Sequence, residues 1–503
     1  MTQSTPEDRK HLGMLRLKPV EDILHQQDDE SAVAGETGQF VKRLGLKDLI
    51  GFGVGMIIGT GIFTLTGIEA KNHAGPAVVL AFLIAGAVSG LAALCYAELA
   101  AAVPTAGSAY TYTYATIGEI FAWIIGWDLV LEFALGAAVV SRGWSGYMLH
   151  LFPWLPSSLF GEGSVINVGA IVIAIILGMV ATIGVRESAW VTNLLVAVKV
   201  SICVFIIALG AFFVKAQNWQ PFIPPSQPST ADAASGLKQP LSQWVFGFEP
   251  AAFGIGGVLT ATAVVFFAYS GFESVANMAE ESTNPAKDMP RGLIGALVLC
   301  MILYMGVSAV ITGMVPYDRI DEGAPLAAAF TSVGLGWAGI LISIAAICGL
   351  TSVILVDIVG MGRIGFAMGR DKLLPAWIGR LHPKYGTPSR MTLLTTAFVV
   401  LLGGFVPLAE LADMVAIGTL FAFVVVSVAV PVLRRTRPDL KRPFRVPFSP
   451  VVPIISVLAC LFLMTNLSLE TWIRFLVWFG IGVVIYATYS YRHARVGDHN
   501  TAS

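Results

Sequence analysis

The stretch that decides the fold is Gly53-Val54-Gly55-Met56-Ile57-Ile58-Gly59-Thr60-Gly61-Ile62-Phe63-Thr64-Leu65-Thr66-Gly67. It lies inside an apolar run long enough to cross a bilayer, yet Gly59 and Gly61 flank Thr60 at its centre. An interior glycine costs a helix about 1 kcal/mol relative to alanine, so two this close mark a place where the helix can open. Opening a helix in hydrocarbon releases N–H and C=O groups, which is tolerable only where they line a cavity. Amides released at the start of a half-helix attract anions, a carboxylate among them, through unpaired N–H groups and the helix dipole. The same glycines also suit close packing between helices, so this stretch alone leaves both readings open.

The surrounding chain has 503 residues, 56 % hydrophobic and 13 % charged, with a mean hydropathy of +0.76. Soluble domains carry roughly 25 % charged residues, so most of this chain is expected in lipid. Apolar spans recur near 46–67, 76–103, 118–150, 164–184, 189–214, 256–279, 292–315, 335–366, 391–406, 408–433, 449–468 and 471–491. That pattern predicts an all-α integral membrane protein of about twelve transmembrane helices. The net charge of −1 says nothing about partners, the distribution of charge mattering instead, and no nucleic-acid partner is expected. Cys95, Cys203, Cys300, Cys348 and Cys460 all fall in apolar runs without metal-ligand spacing, and read as core or lipid-facing residues.

Residues 1–44 are polar, with no apolar leader, and read as a largely disordered cytoplasmic tail. Lysine and arginine set the orientation. With the N-terminus inside, inner segments hold most of them, for example Lys42, Arg43, Lys47, Arg370, Lys372, Arg380, Arg434, Arg435 and Arg492. Outer segments hold only Lys71, Arg142, Lys215, Lys238, Arg319 and Arg474. Both termini are therefore expected in the cytoplasm, in a multi-pass protein of the cell membrane. The Pro-rich segment 215–255 forms the longest outer connection, and 316–334, with Asp318, Asp321, Glu322 and Pro325, forms an outer loop able to cover an entrance. Each is too short to build a soluble catalytic domain.

The sixth span, Phe266-Phe267-Ala268-Tyr269-Ser270-Gly271-Phe272-Glu273-Ser274, also has a glycine and polar residues at its midpoint. Carriers built from inverted repeats have paired broken helices meeting at the bilayer midplane. The first and sixth spans are five apart, as a five-plus-five repeat requires. The chain then divides into a ten-helix core over 45–434, with repeats near 45–214 and 256–434, two further helices within 435–491, and a short cytoplasmic tail over 492–503.

Ionisable residues inside a membrane are costly, by roughly 2.5–3.5 kcal/mol on insertion scales, and are functional candidates. Lys199 stands mid-way along the fifth span, too deep to snorkel. It reads either as a group that exchanges a proton during transport or as half of a static ion pair. Glu132, Glu273 and Asp357 are candidates for charge or gating roles, or for holding helices together. Glu98 and Asp128 read as structural or interfacial.

Several runs together resemble the amino acid–polyamine–organocation superfamily, and within it the cationic amino acid transporter branch. They are Gly55 through Phe63, Cys95-Tyr96-Ala97-Glu98-Leu99, Pro104 through Tyr110, Phe267 through Glu273, Ala279 through Pro285, and Gly369-Arg370-Asp371-Lys372-Leu373-Leu374-Pro375. The resemblance runs from about residue 40 to the end of the twelfth span. It implies a LeuT-like fold with two extra helices, and a substrate carboxylate held by the amides of Thr60, Gly61 and Ile62. It places the substrate amine on carbonyls of Ile57, Phe267 and Ser270, and Phe267 as an aromatic gate. Ile58, Gly59, Ala268 and Gly271 complete that expected binding set. Lys199 matches a lysine found where sodium-coupled relatives bind a cation, which implies proton coupling or exchange. Glu273 stands where the family often has aspartate.

These features predict a secondary active transporter of L-amino acids, cationic or small neutral, with a proton as the coupled ion and no cofactor or metal. A facilitative exchanger or uniporter, and a non-transporting amino-acid sensor, are the alternatives; a small accessory membrane subunit is left open. No Ser/His/Asp or Cys/His grouping occurs within the spans, and Gly59-Thr60-Gly61 lacks the Gly-Lys-Ser/Thr ending of a phosphate-binding loop. An enzyme is not expected.

Overall fold

Backbone groups inside hydrocarbon must bond within their own segment, and the computed structural model is accordingly built of helices. It describes residues 16, 18, 44–102, 108–184, 189–228, 236–247, 251–375 and 377–494. Most of the expected N-terminal tail, residues 104–107 of the Pro104–Tyr110 motif, and residues 495–503 lie outside this set. Among the described residues, eight helices are long and apolar enough to cross a membrane, and shorter apolar helices span Val168–Ile183, Ser389–Phe405 and Val451–Thr465. With Leu46–Ile57, they supply helix at all twelve expected places.

Several boundaries move. The first crossing does not end at residue 67: after its break it continues through Gly61–Leu65, Thr66–Glu69 and Ala70–Ala74, and turns at Gly75 (φ +58°). Its polar end is held by pairing, because His73 Nδ1 lies 2.8 Å from Glu69 and Lys71 meets Glu322 at 3.0 Å. The second crossing is Val78–Ala102, the third Glu119–Leu151, the fifth Ala189–Gly210, the seventh Pro285–Met314 and the eighth Gly336–Arg370. Only Val406 and Pro407 separate the ninth from the tenth, Leu408–Thr436. The twelfth begins as Leu469–Ile485.

Connections expected as loops carry structure. Ser108–Thr116 is a helix between the second and third crossings, and Pro325–Ser332 is a helix within the 316–334 connection. The 215–255 connection holds a short helix, Leu241–Phe246, and a two-residue antiparallel ladder pairing Gln227–Pro228 with Ala251–Ala252.

Some of the most extensive packing joins crossings five places apart: second with seventh, third with eighth, and fourth with ninth. Small residues let these helices approach closely. A Cβ at Gly136 of the third crossing would sit 3.1 Å from Asp357 of the eighth, and one at Gly178 of the fourth would overlap Thr396 of the ninth.

Part of the tail is docked rather than free. Lys18 Nζ pairs with Asp371 at 2.9 Å, both side chains being buried, and Tyr110 donates to the other Asp371 oxygen at 2.8 Å. The Lys18 amide donates to Tyr114, and the Arg16 carbonyl accepts from Glu119. Glu98, read as structural, takes a bidentate pair from Arg434 and the amide of Val446. Asp128 is fully buried with no donor on either oxygen among the described residues.

Candidate functional site

The first crossing opens where its glycines stand. Helix Leu46–Ile57 stops at Ile58, whose extended backbone (φ −73°, ψ 98°) ends the ladder, and helical geometry resumes at Gly61. A helix end leaves carbonyls unpaired and a helix start leaves amides unpaired, and here the two sets are treated differently. Three of the last four carbonyls have partners among the described residues. Val54 accepts the Ile58 amide, Gly55 accepts Lys199 Nζ at 2.7 Å, and Ile57 accepts the Tyr304 hydroxyl at 2.7 Å.

The amides are left open. Ile58 bonds back to Val54 and Phe63 to Gly59, and between them Gly59, Thr60, Gly61 and Ile62 have no backbone acceptor among the described residues. Thr60 adds a hydroxyl that is buried without a partner. Free donors at a helix start favour an anion.

The sixth crossing breaks at Ser270 and Gly271, between Phe266–Tyr269 and Phe272–Glu281. Gly271 has φ +107°, a conformation that only glycine adopts readily. Its amide is already capped, donating to both carboxylate oxygens of Glu273 at 2.9 and 3.0 Å. The Ser270 amide returns to the Phe267 carbonyl at 3.0 Å. The two breaks touch: a Cβ at Gly61 would lie 2.4 Å from the Cα of Ala268, and one at Gly271 would lie 3.1 Å from the Met56 carbonyl.

Between them lies a cavity open to a water-sized sphere over about 40 Å³, room for a few ordered waters. Ile57, Gly59, Thr60, Gly61, Phe267, Ala268, Ser270 and Gly271 line it, together with Glu132, Glu273 and Asp357. Ile58 and Ile62, expected in the set, are fully buried beside the break rather than on the cavity wall. Lys199 is also behind the wall, 1 % exposed, and its ammonium meets a carbonyl rather than a carboxylate. It forms no ion pair among the described residues, so the static-pair reading has no partner. Glu132 joins three crossings, accepting from Thr419 of the tenth at 2.6 Å and from Ser270 of the sixth at 3.3 Å.

Sequence reasoning missed Tyr304, Thr419, Met56, Gly136, Val140, Val353 and Val415. Most are ordinary apolar or small residues on intact helices, and only their neighbours place them at the cavity. Thr419 carried a weak signal, as a hydroxyl inside an apolar span.

The family profile of the amino acid permeases matches residues 44–489. The branched-chain amino acid permease BcaP of Bacillus subtilis (strain 168) is 42 % identical over 500 residues, covering 97 % of this chain and 99 % of its own. The methylthioribose transporter of the same organism is 40 % identical over 491 residues, covering 96 % and 99 %. Cationic amino acid transporter 4, vacuolar, of Arabidopsis thaliana is 37 % identical over 409 residues, covering 80 % and 64 %. The chain belongs to the amino acid permease family of the amino acid–polyamine–organocation superfamily. It is a multi-pass membrane transport protein, not an enzyme.

Proposed function

We propose that the chain is a secondary active transporter that carries L-amino acids, cationic or small neutral, across the cytoplasmic membrane in symport with protons, both termini lying in the cytoplasm. The observation that carries this reading is the lopsided first break: the carbonyls of Val54, Gly55 and Ile57 are occupied while the amides of Gly59, Thr60 and Gly61, all cavity-lining residues, and the Thr60 hydroxyl have no acceptor among the described residues. That arrangement suits a substrate carboxylate, and the Ser270 carbonyl together with the acidic lining suits its ammonium. The helices pairing five apart support an inverted repeat over 45–214 and 256–434. The cavity is narrow, so a larger side chain requires its walls to part.

Lys199 supports the coupling. An ammonium at the carbonyl end of the first half-helix compensates the negative end of its dipole, and releasing its proton loosens that hold on Gly55. One observation favours facilitated exchange as a second reading: an ammonium already satisfied by a carbonyl can remain charged through the whole cycle.

The test is uptake of labelled leucine, alanine, lysine and arginine by proteoliposomes, with and without an imposed proton gradient. The reading expects at least one amino acid to accumulate above equilibrium when the outside is acidic. Counterflow without gradient-driven accumulation would select exchange, and movement of none of the four would overturn transport.

A further inference from the structure

A second cavity lies away from the breaks, where the end of the fourth crossing, the last turns of the eighth and the start of the ninth come together. It measures about 280 Å³, against about 40 Å³ between the breaks. The eighth crossing supplies Val359, Arg363 and Phe366, spaced so that one face of that helix looks into it. Gly184 closes it from the end of the fourth, and Leu381 and Thr387 close it from the connection into the ninth.

That connection is pinned in place. The His382 amide donates to the Thr387 carbonyl at 2.8 Å and the Gly386 amide to the His382 carbonyl at 2.9 Å. The Thr387 hydroxyl reaches the Thr182 carbonyl of the fourth crossing at 2.7 Å, and the Thr392 hydroxyl donates to Pro388. The hydroxyls of the wall are therefore engaged, but its one charged side chain is not. Arg363 has no hydrogen bond and no ion pair among the described residues. No carboxylate stands with it among the described residues of the wall, and Asp371, at the end of the same helix, is taken by Lys18 and Tyr110. A free guanidinium fork at the edge of a cavity matches two oxygens of a phosphate.

The surroundings select among phosphates. Arg380, Lys384 and Arg390 stand exposed on or beside the same connection, so the field at the mouth favours a net anion. Around that mouth the chain turns apolar side chains outward: Met179 and Ile183 from the fourth crossing, Leu393 and Leu394 from the ninth. Trp377 and Tyr385 are exposed at the same level, where aromatic side chains mark the boundary between hydrocarbon and water. An inorganic anion gains nothing from this rim, whereas a lipid brings a phosphate and acyl chains together.

We propose that this cavity binds the phosphate of an anionic phospholipid on Arg363, with the acyl chains lying along the exposed faces of the fourth and ninth crossings. Such a lipid is held by three unbroken crossings, so its binding does not depend on what passes between the broken ones.

The experiment is equilibrium binding of labelled dioleoyl phosphatidylglycerol, dioleoyl phosphatidylcholine and inorganic phosphate to the purified full-length protein in neutral detergent. Phosphatidylglycerol is expected to bind about tenfold or more tighter than either of the others. Arg363→Gln lowers its affinity by about tenfold or more, whereas Lys384→Gln, which removes the same charge from the rim, changes it by no more than about twofold. Where Arg363→Gln does not fold, a photoactivatable phosphatidylglycerol on the unaltered protein decides. Crosslinks to residues 175–184 and 389–394 are expected, and crosslinks confined elsewhere overturn the assignment. Equal affinity for the two lipids, or equal losses in Arg363→Gln and Lys384→Gln, shows diffuse attraction and overturns it as well. Inorganic phosphate that binds as tightly as phosphatidylglycerol overturns the lipid as the source of the phosphate.

Discussion

The first and sixth crossings are both broken, yet the glycine amides at the two breaks are treated differently. At Gly271 the released amide is taken by Glu273, two residues along the same chain, so that donor is satisfied without a ligand. At Gly59–Ile62 no side chain takes that part, and the partners that do arrive, Lys199 and Tyr304, supply hydrogens to the carbonyls instead. The difference teaches how a pair of broken helices acquires one polarity of binding. Opening a helix releases both donors and acceptors, and the scaffold decides which of them remain for substrate.

The contrast can be broken most severely at the contact between the breaks. Gly61→Ala places a methyl against the backbone of Ala268, which has no flexible end to move aside. Overpacking of this kind costs about 1–3 kcal/mol of stability, and uptake by proteoliposomes is expected to fall to background. Retained uptake would mean that the breaks are not in functional contact. Lys199→Ala comes next. It removes a hydrogen on the acceptor side of the first break and is expected to reduce proton-driven accumulation by about tenfold or more. Equilibrium binding should change much less, which isothermal titration beside the flux assay would establish. Accumulation equal to the unaltered protein rejects the coupling role.

Two milder variants separate the breaks by kind of readout. Glu273→Gln weakens the charge-assisted cap of Gly271, so it should lower thermal stability by about 1–2 kcal/mol without added substrate. Thr60→Val removes a hydroxyl that has no partner in the unliganded protein. It is therefore expected to be nearly neutral for stability while weakening substrate binding by several-fold. Scanning fluorimetry with and without amino acid measures both. If Thr60→Val destabilised the empty protein as much as Glu273→Gln does, the distinction between an open and a closed break would fail.

Much of this was legible because hydrocarbon imposes few solutions. Span number and helical class follow from hydropathy, and both breaks follow from glycines with polar neighbours. Legibility ended where polar residues pair at a distance. The run Glu69-Ala70-Lys71-Asn72-His73 looks like the end of a span, but its charges are matched by one another and by Glu322, so helix continues to Ala74. Ser108–Thr116 has no apolar run to announce it, yet its tyrosines are buried and Tyr110 reaches Asp371. Lys18 lies in a charged tail, and its partner is 353 residues away in sequence. Within the site, Glu273 was visible as a charge, but its service to Gly271 depends on the positive φ of that glycine. Lys199 was visible as a buried charge and its carbonyl partner was not, since nothing along the fifth span indicates what faces it.

The absence of a side chain on Gly61, where it meets Ala268, has a mechanical consequence. Where long side chains and rings separate two segments, rotamer changes take up small shifts before the neighbour feels them. Here only the Ala268 methyl, which has no rotamers, stands beside the two main chains, so there is little slack to absorb. A fraction of an ångström gained by a ligand seated on one strip of peptide is delivered to the other strip undiminished, and the two move like meshed teeth rather than as cushioned neighbours.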